Sequence, residues 1–398
     1  MNKKKFKIAN IVLDGRVGGP QRRIVQVAQH LLEQGWETVL VFPYMGDELP
    51  QYATQNGISY LCVPLSRIRL ENILVQLIRY VSRLPFETWQ LKTALKNHQI
   101  DIVHANGLYN VQAVLAAKLA GLPLVWHIND NSPLPPWSYR IARTTLGWLA
   151  EIRVYSSPPV RDMCDDYDDE RTAILYPPVD LEKFDPKKLK PSGIETKIPA
   201  LQRQGNEVLL LAVSNVNWVK GYEFLLDALS NLQDMLVGWR LVVIGAILQT
   251  QRPYFASLSN QVKTLGLEEK VVFAGFTDDV AEALSVADVF VMSSTAESGP
   301  MVLLEALAMG KPVVTTDVGI AKEVINHEEN GLIVPPRDVP ALAQALRKII
   351  LDEKLRQDFA NQARRSVAKK FSVPHVTAEH ITVYQKIVNT ASNRFNLI

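Results

Sequence analysis

Short runs of consecutive apolar residues alternate along this chain with longer stretches in which apolar side chains return every three or four positions. Strands buried on both faces of a parallel sheet read as the first pattern, and helices that cover such a sheet read as the second. In the first half the pattern predicts strands at Ile8–Leu13, Glu37–Phe42, Tyr60–Val63, Ile100–His104, Pro123–His127 and Ile152–Tyr155. A glycine-containing loop (Val17–Pro20) and an amphipathic helix (Arg22–Gln34) follow the first strand, and a long helical region covers Leu70–Asn97. Pro177, Pro178 and Pro186, followed by KKLKPSG, make a breaker-rich linker. The second half then predicts strands at Val208–Val213, Arg240–Gly245, Val271–Ala274, Val289–Met292, Pro312–Thr316 and Gly331–Val334, with helices between them. Such regular alternation implies an α/β fold with two doubly wound parallel sheets.

Composition narrows the class. A chain of 398 residues, 47% of them hydrophobic, has the length for two or three domains with large cores. The formal net charge of +2 gives no overall basic footprint for nucleic acid. Two cysteines, Cys62 and Cys164, cannot build a disulfide framework, so a reducing cytoplasm is the simplest setting. The apolar runs fall short of the roughly 18 residues of a membrane span. MNKKKFKIANIVLDG has a basic head, but Lys7, Asn10 and Asp14 interrupt its apolar part, and it reads as a first strand rather than a signal peptide. Neither a solenoid-length repeat nor a low-complexity tract is present.

Chemistry concentrates in ADVFVMSSTAESGPMVLLEALAMGKPVV, Ala287–Val314. An apolar strand leads through a polar turn, Ser293–Gly299, to Pro300 and a helix from Met301 to about Met309, which Gly310 is placed to end. The helix start, with the N–H groups of Met301 and Val302, suits a phosphate. Glu297 lies before the helix and Glu305 inside it, eight positions and roughly 12 Å of helical rise apart. That separation suits gripping two ends of an elongated ligand better than sharing a proton. A second constellation, SNVNWVKGYEFLLDAL (Ser214–Leu229), follows the strand VLLLAV and sets Lys220 at the carboxyl end of a parallel strand, where it can neutralise a diphosphate.

Glu297 and Glu305 spell E-x7-E, and joined to ENGLIVPPRD the stretch resembles the family 4 retaining glycosyltransferases. The resemblance covers nearly the whole chain and implies the GT-B fold, two Rossmann-like domains facing a central cleft. It places an N-terminal, acceptor-side domain at residues 1–190, a donor-side domain at 200–375, and a tail, 376–398, that crosses back to the first. It further implies that Glu305 holds the ribose, that Glu297 contacts the transferred sugar and that Lys220 contacts the donor phosphates. Gly18 and Gly19 match the loop that approaches donor phosphates and acceptor. Gly275 and Phe276 match the nucleobase position, and Gly299, Met301 and Val302 complete the donor-binding set. His127, at a strand end, matches a histidine near the transferred sugar, whereas His104 reads as structural. The family usually has an arginine five residues before the lysine; here that residue is Asn215, which can hydrogen-bond a phosphate but carries no charge. The implied reaction is metal-independent transfer of a sugar, with retention, from a nucleotide sugar to a hydroxyl acceptor, whether a glycan, a lipid-linked or a small molecule, without a cofactor.

Two other classes stand beside this reading. A non-catalytic nucleotide-sugar binding protein is kept open by Asn215, and a sugar-nucleotide epimerase of the same fold would convert donor without acceptor. A dehydrogenase would need G-x-G-x-x-G after a strand, which Gly15, Gly18 and Gly19 do not provide. Asp166-Tyr167-Asp168 spells the metal-binding D-x-D of another glycosyltransferase fold, but the apolar strand that should precede it is missing, and a solvated acidic turn is the better reading. Residues 1–100 hold thirteen Lys/Arg against seven Asp/Glu, and Arg67, Arg69, Arg79 and Arg83 lie among apolar residues of the 67–83 segment. That segment reads either as a helix covering the sheet with its arginines reaching solvent or as a peripheral contact with anionic lipid at the inner face of a membrane.

Overall fold

The computed structural model describes residues 5–67, 73–129, 148–164, 169–189 and 193–395. The D-x-D stretch and residues 68–72 of the basic segment lie outside these. Two compact units are present, one formed by Met1–Pro178 with Val373–Ile398 and the other by Val179–Ser372.

The first unit holds β1 (Phe6–Ile11), β2 (Trp36–Phe42), β3 (Ser59–Cys62), β4 (Ile102–Asn106), β5 (Leu124–Ile128), β6 (Ile152–Tyr155) and β7 (Thr172–Ile174). They form one sheet in the order β3-β2-β1-β4-β5-β6-β7, and every neighbouring pair is parallel. The three-residue β7 has no apolar run to announce it, and all its residues are only half-buried. The second unit holds β8 (Val208–Val213), β9 (Trp239–Ile244), β10 (Val271–Gly275), β11 (Val289–Met292), β12 (Val313–Thr316) and β13 (Leu332–Val334), again all parallel, in the order β10-β9-β8-β11-β12-β13. Both sheets therefore reverse strand order beside their first strand, between β1 and β4 and between β8 and β11. The crevice at the carboxyl ends of such a pair is where doubly wound sheets bind ligands.

Local chemistry sets the element ends. The helix Gly19–Glu33 begins three residues before the expected Arg22, because Pro20 sits in its first turn, where a missing N–H costs nothing. Asn110 caps the helix Val111–Ala120 through the Ala113 N–H, and left-handed Gly121 stops it. The chain leaves the first unit at Pro178, so residues 179–189 pack with the second unit rather than the first. The reason is specific: the Val179 N–H donates to the Phe371 carbonyl (2.7 Å), and Arg364 donates to the Leu181 carbonyl (2.8 Å). From Val373 the terminal helix, Val373–Phe395, returns to the first unit, where Val376, Val383, Tyr384 and Ile387 join a core with Ile8, Val27, Leu31 and Trp36.

Candidate active site

In the second unit the loops leaving β8 and β11 are stitched together. The Asn217 side chain caps the short turn Trp218–Lys220 through the Val219 N–H (3.0 Å). Gly221 follows in the left-handed region (φ 62°), and a Cβ there would stand 2.3 Å from the Ser293 carbonyl oxygen. Only glycine satisfies both demands, which is the physical basis of the Lys-Gly pair. Ser293 Oγ donates to the Lys220 carbonyl (3.0 Å), and the Thr295 N–H donates to the Val219 carbonyl (2.7 Å). From the other side Thr316 Oγ1 donates to the Ser294 carbonyl (2.6 Å), while Gly319, also left-handed, lets its backbone lie against Glu297 and Ser298.

This scaffold joins two of the predicted residues directly. Lys220 Nζ donates to Glu297 Oε1 at 2.6 Å, and Ser294 Oγ donates to the same oxygen at 2.8 Å. The two side chains are 22% and 15% exposed, so the pair is sheltered but reachable. An ammonium has three donors, so the bond to Glu297 leaves Lys220 able to serve an anion as well. The sequence placed both residues but not their contact, because Lys220 and Glu297 belong to different βα loops.

The helix Met301–Ala308 starts at Pro300 with no side-chain cap on its first turn. The N–H groups of Met301 and Val302 therefore lie in the turn that carries the positive dipole end. Gly299 and Glu305 are half-buried. Apolar Leu303, Leu304, Ala306 and Leu307 anchor the helix, and Arg364 Nη1 binds its last carbonyl, that of Ala308, at 2.7 Å. Asn215 is exposed, and its Oδ1 accepts from the Ala246 N–H (3.2 Å). Gly275 ends β10 in a left-handed conformation, and the Phe276 ring beyond it is 60% exposed.

The first unit is built differently. His127 does not open to solvent as its strand-end position suggested. It is fully buried, with Arg23 Nη1 at 3.2 Å from Nε2 and His104 Nε2 at 3.0 Å from Nδ1. Arginine carries only donors, so the closer of its two contacts, Nη1 to Nε2 rather than Nη2 to Nδ1 (3.4 Å), makes His127 Nε2 an acceptor. His127 Nδ1–H then donates to His104, and His104 Nδ1–H donates to the Tyr384 hydroxyl at 2.8 Å. Burial first, then Arg23 and His104, holds His127 well below the ordinary histidine pKa. His104 is lowered by burial, His380 and Arg23, and His380 falls to about 4, mainly by burial. Arg23, lowered by burial to about 10, remains charged, and its Nη2 also donates to Asn106 Oδ1 (3.0 Å). The sequence reading missed Arg23 and Asn106. Their signal was a polar residue on the buried face of the first helix and another at the end of an apolar strand.

Neither Gly18 nor Gly19 is required by its backbone angle, and only Gly18 has a close neighbour, Gln21 Oε1, 3.3 Å from where a Cβ would stand. Gly18 is extended (φ −148°), and a Cβ on Gly19 would meet nothing within 4 Å. Packing instead demands Gly15, whose Cβ would stand 2.3 Å from the Pro43 carbonyl oxygen. A cavity of about 400 Å³ opens beside β2 and β3, lined in part by Tyr44, Cys62, Ser66, Arg83 and Glu87. Among the described residues no three His, Cys, Asp or Glu side chains converge as a metal site.

Two doubly wound units, one bearing a cation–carboxylate pair at its switch point beside an uncapped helix start, define an α/β protein of GT-B fold. The family described as Glycosyltransferase Family 4 matches residues 17–183, and that described as Glycosyl transferases group 1 matches residues 193–366. The chain belongs to the family 4 glycosyltransferases. An uncharacterised glycosyltransferase of Methanocaldococcus jannaschii is 25% identical over 93% of this chain and 94% of its own. N-acetyl-alpha-D-glucosaminyl L-malate synthase of Bacillus anthracis is 30% identical over 47% of this chain and 48% of its own. HepE of Anabaena, solved with UDP and glucose, superposes with a TM-score of 0.77 at 24% identity, covering 97% of this chain and 99% of its own.

Proposed function

We propose that this glycosyltransferase moves a sugar from a nucleoside-diphosphate sugar to a hydroxyl acceptor, with retention of anomeric configuration and without a divalent metal. The observation that carries the reading is the Lys220–Glu297 pair, held at 2.6 Å on the two switch-point loops and followed at once by the helix start at Met301. A diphosphate laid on that start is stabilised by the Met301 and Val302 amides and by Lys220, which together do the work a metal does elsewhere. Glu297, fixed by Lys220 and Ser294, then faces the sugar hydroxyls. Glu305 takes the ribose hydroxyls, and Asn215 gives the phosphate a neutral donor where relatives use a cation.

In the reaction the bond from the anomeric carbon to the diphosphate oxygen breaks, and the acceptor oxygen bonds to the same face. The acceptor proton passes to the departing phosphate oxygen, so no side-chain base is needed. His127 takes no part in contact with the sugar, because both its ring nitrogens are in use. On the acceptor side the open backbone at Gly18 and Gly19 is the feature that admits a ligand. The UDP and glucose bound by HepE support a nucleotide-sugar donor for this chain as well.

The test is a panel of nucleotide sugars read by thermal shift, then transfer assays with the donor that binds, in the presence of EDTA. Stabilisation by at least one donor and a product of retained configuration are expected. Donor binding with neither transfer nor donor hydrolysis, or loss of transfer to EDTA with recovery on adding magnesium or manganese, would overturn the corresponding part of the proposal.

A further inference from the structure

The helix Ile73–Asn97 has two apolar faces. One is turned into the first unit, where Leu91 and Leu95 join a core with Ala9, Val39 and Val103 of the sheet and the buried Tyr80 donates its hydroxyl to Gln112 Oε1 (2.9 Å). The other is open: Val75, Ile78, Val81, Phe86 and Trp89 are 67%, 65%, 56%, 57% and 60% exposed. At about 100° per residue these five side chains share an arc of roughly 140°, along about 21 Å of helix. A monomer seldom leaves so continuous a stripe of large apolar residues in water without a partner for it.

Charge says which partner. Arg79 and Arg83 are exposed along one border of the stripe. The single carboxylate between residues 73 and 97, Glu87, is turned inward, 3% exposed, and accepts from the Ser66 N–H (2.8 Å) and Gln112 Nε2 (3.0 Å). The outer face therefore offers apolar bulk, two aromatic rings and only positive charge. We propose that it docks on an anionic lipid bilayer, with Ile78, Phe86 and Trp89 entering the headgroup boundary and Arg79 and Arg83 meeting lipid phosphates. A second copy is a poorer occupant, because an antiparallel isologous contact along this stripe would bring the arginine borders of both copies together. Among the described residues no helix is long and apolar enough to cross a membrane, so the contact is one of lying on the surface rather than spanning it.

Co-sedimentation of the full chain with phosphatidylcholine vesicles, and with vesicles that also contain phosphatidylglycerol, tests this without any donor, so its result is independent of the transfer reading. Binding to the anionic vesicles and weaker binding to the neutral ones are expected. Arg79→Gln with Arg83→Gln should lower anionic binding by about five-fold per arginine. Ile78→Ser with Trp89→Ser should lower it at least as far on both vesicle types. All four side chains are exposed, so melting temperature should hold, and it is measured alongside. Failure of the wild-type chain to bind either vesicle, or equal binding by all variants, overturns the proposal. So does a wild-type dimer that dissociates on Trp89→Ser without any vesicle binding, which would assign the face to self-association. Capture of an acidic protein in place of vesicles overturns it in the same way.

Discussion

The two units share one strand order but put opposite chemistry at the carboxyl ends of their sheets. Beside β8 and β11 the second unit holds a partly exposed Lys–Glu pair, braced by hydroxyls and by glycines that let backbones touch. Beside β1, β4 and β5 the first unit holds Arg23, His104, Asn106 and His127, all 6% exposed or less. Six of the seven histidines belong to the first unit, and the second has His327 alone, which is exposed. The same fold thus supports a site open to an anion and a sealed polar core, and side chains on the strand-end loops decide which.

The largest expected effect that would break this contrast is acid. His104, His127 and His380 are held neutral by burial, so their folded pKa values lie below those of the unfolded chain. The unfolded state therefore takes up protons first as pH falls below about 6.5, and stability drops by about 1.4 kcal/mol per pH unit for each histidine. For His380 the loss continues to pH about 4 and amounts to about 3 kcal/mol. Hydrogen exchange at pH 7 and pH 5 should show β4 and β5 losing protection while β8 and β11 keep theirs. Equal behaviour of the two sheets would count against a sealed neutral network.

Next comes Lys220→Met, which keeps the length and removes the charge. Turnover should fall by at least about 100-fold, the size for one preorganised stabilising group, while donor affinity changes less. Near-normal turnover would place the diphosphate elsewhere. Glu305→Ala should weaken free nucleoside diphosphate by about 1.5–3 kcal/mol in calorimetry, even with no sugar attached. Unchanged affinity in the folded variant removes it from the ribose.

The glycines sharpen the comparison at a finer level. Gly15→Ala forces a Cβ against the Pro43 carbonyl and should cost about 1–3 kcal/mol in urea unfolding, whereas Gly19→Ala should leave stability within about 0.5 kcal/mol and lower transfer. Equal stability loss would make both merely structural. Smallest of all, Asn215→Arg should be tolerated or raise donor affinity slightly. Abolition of binding would show that this position does not face phosphate.

Much of this was legible in the chain itself. Runs such as VLLLAV and VFVM are apolar throughout because both faces of a parallel strand are covered, so the strands and their order of appearance could be read directly. The turn ESGP before a helix and the Lys-Gly after a strand were legible because local backbone geometry restricts which residues can stand there. The site's internal contacts were not. His127 reads as a candidate for the sugar because a strand end is where ligands bind, but its partners, Arg23 on Nε2 from a helix more than a hundred positions earlier and His104 on Nδ1 from the neighbouring strand, could not be read from the chain.

The sequence by itself determined two doubly wound units, their strands other than β7, and a helix start flanked by glutamates, since these depend on periodicity and on neighbours within a few residues. Tertiary structure alone decided that Lys220 meets Glu297, that His104 and His127 form one buried chain ending at Tyr384, and that the helix Ile73–Asn97 turns Glu87 inward and Trp89 outward. Side chains far apart in sequence meet only when the loops and helices that carry them pack on the same sheet, and periodicity says which face a residue takes but not what waits there.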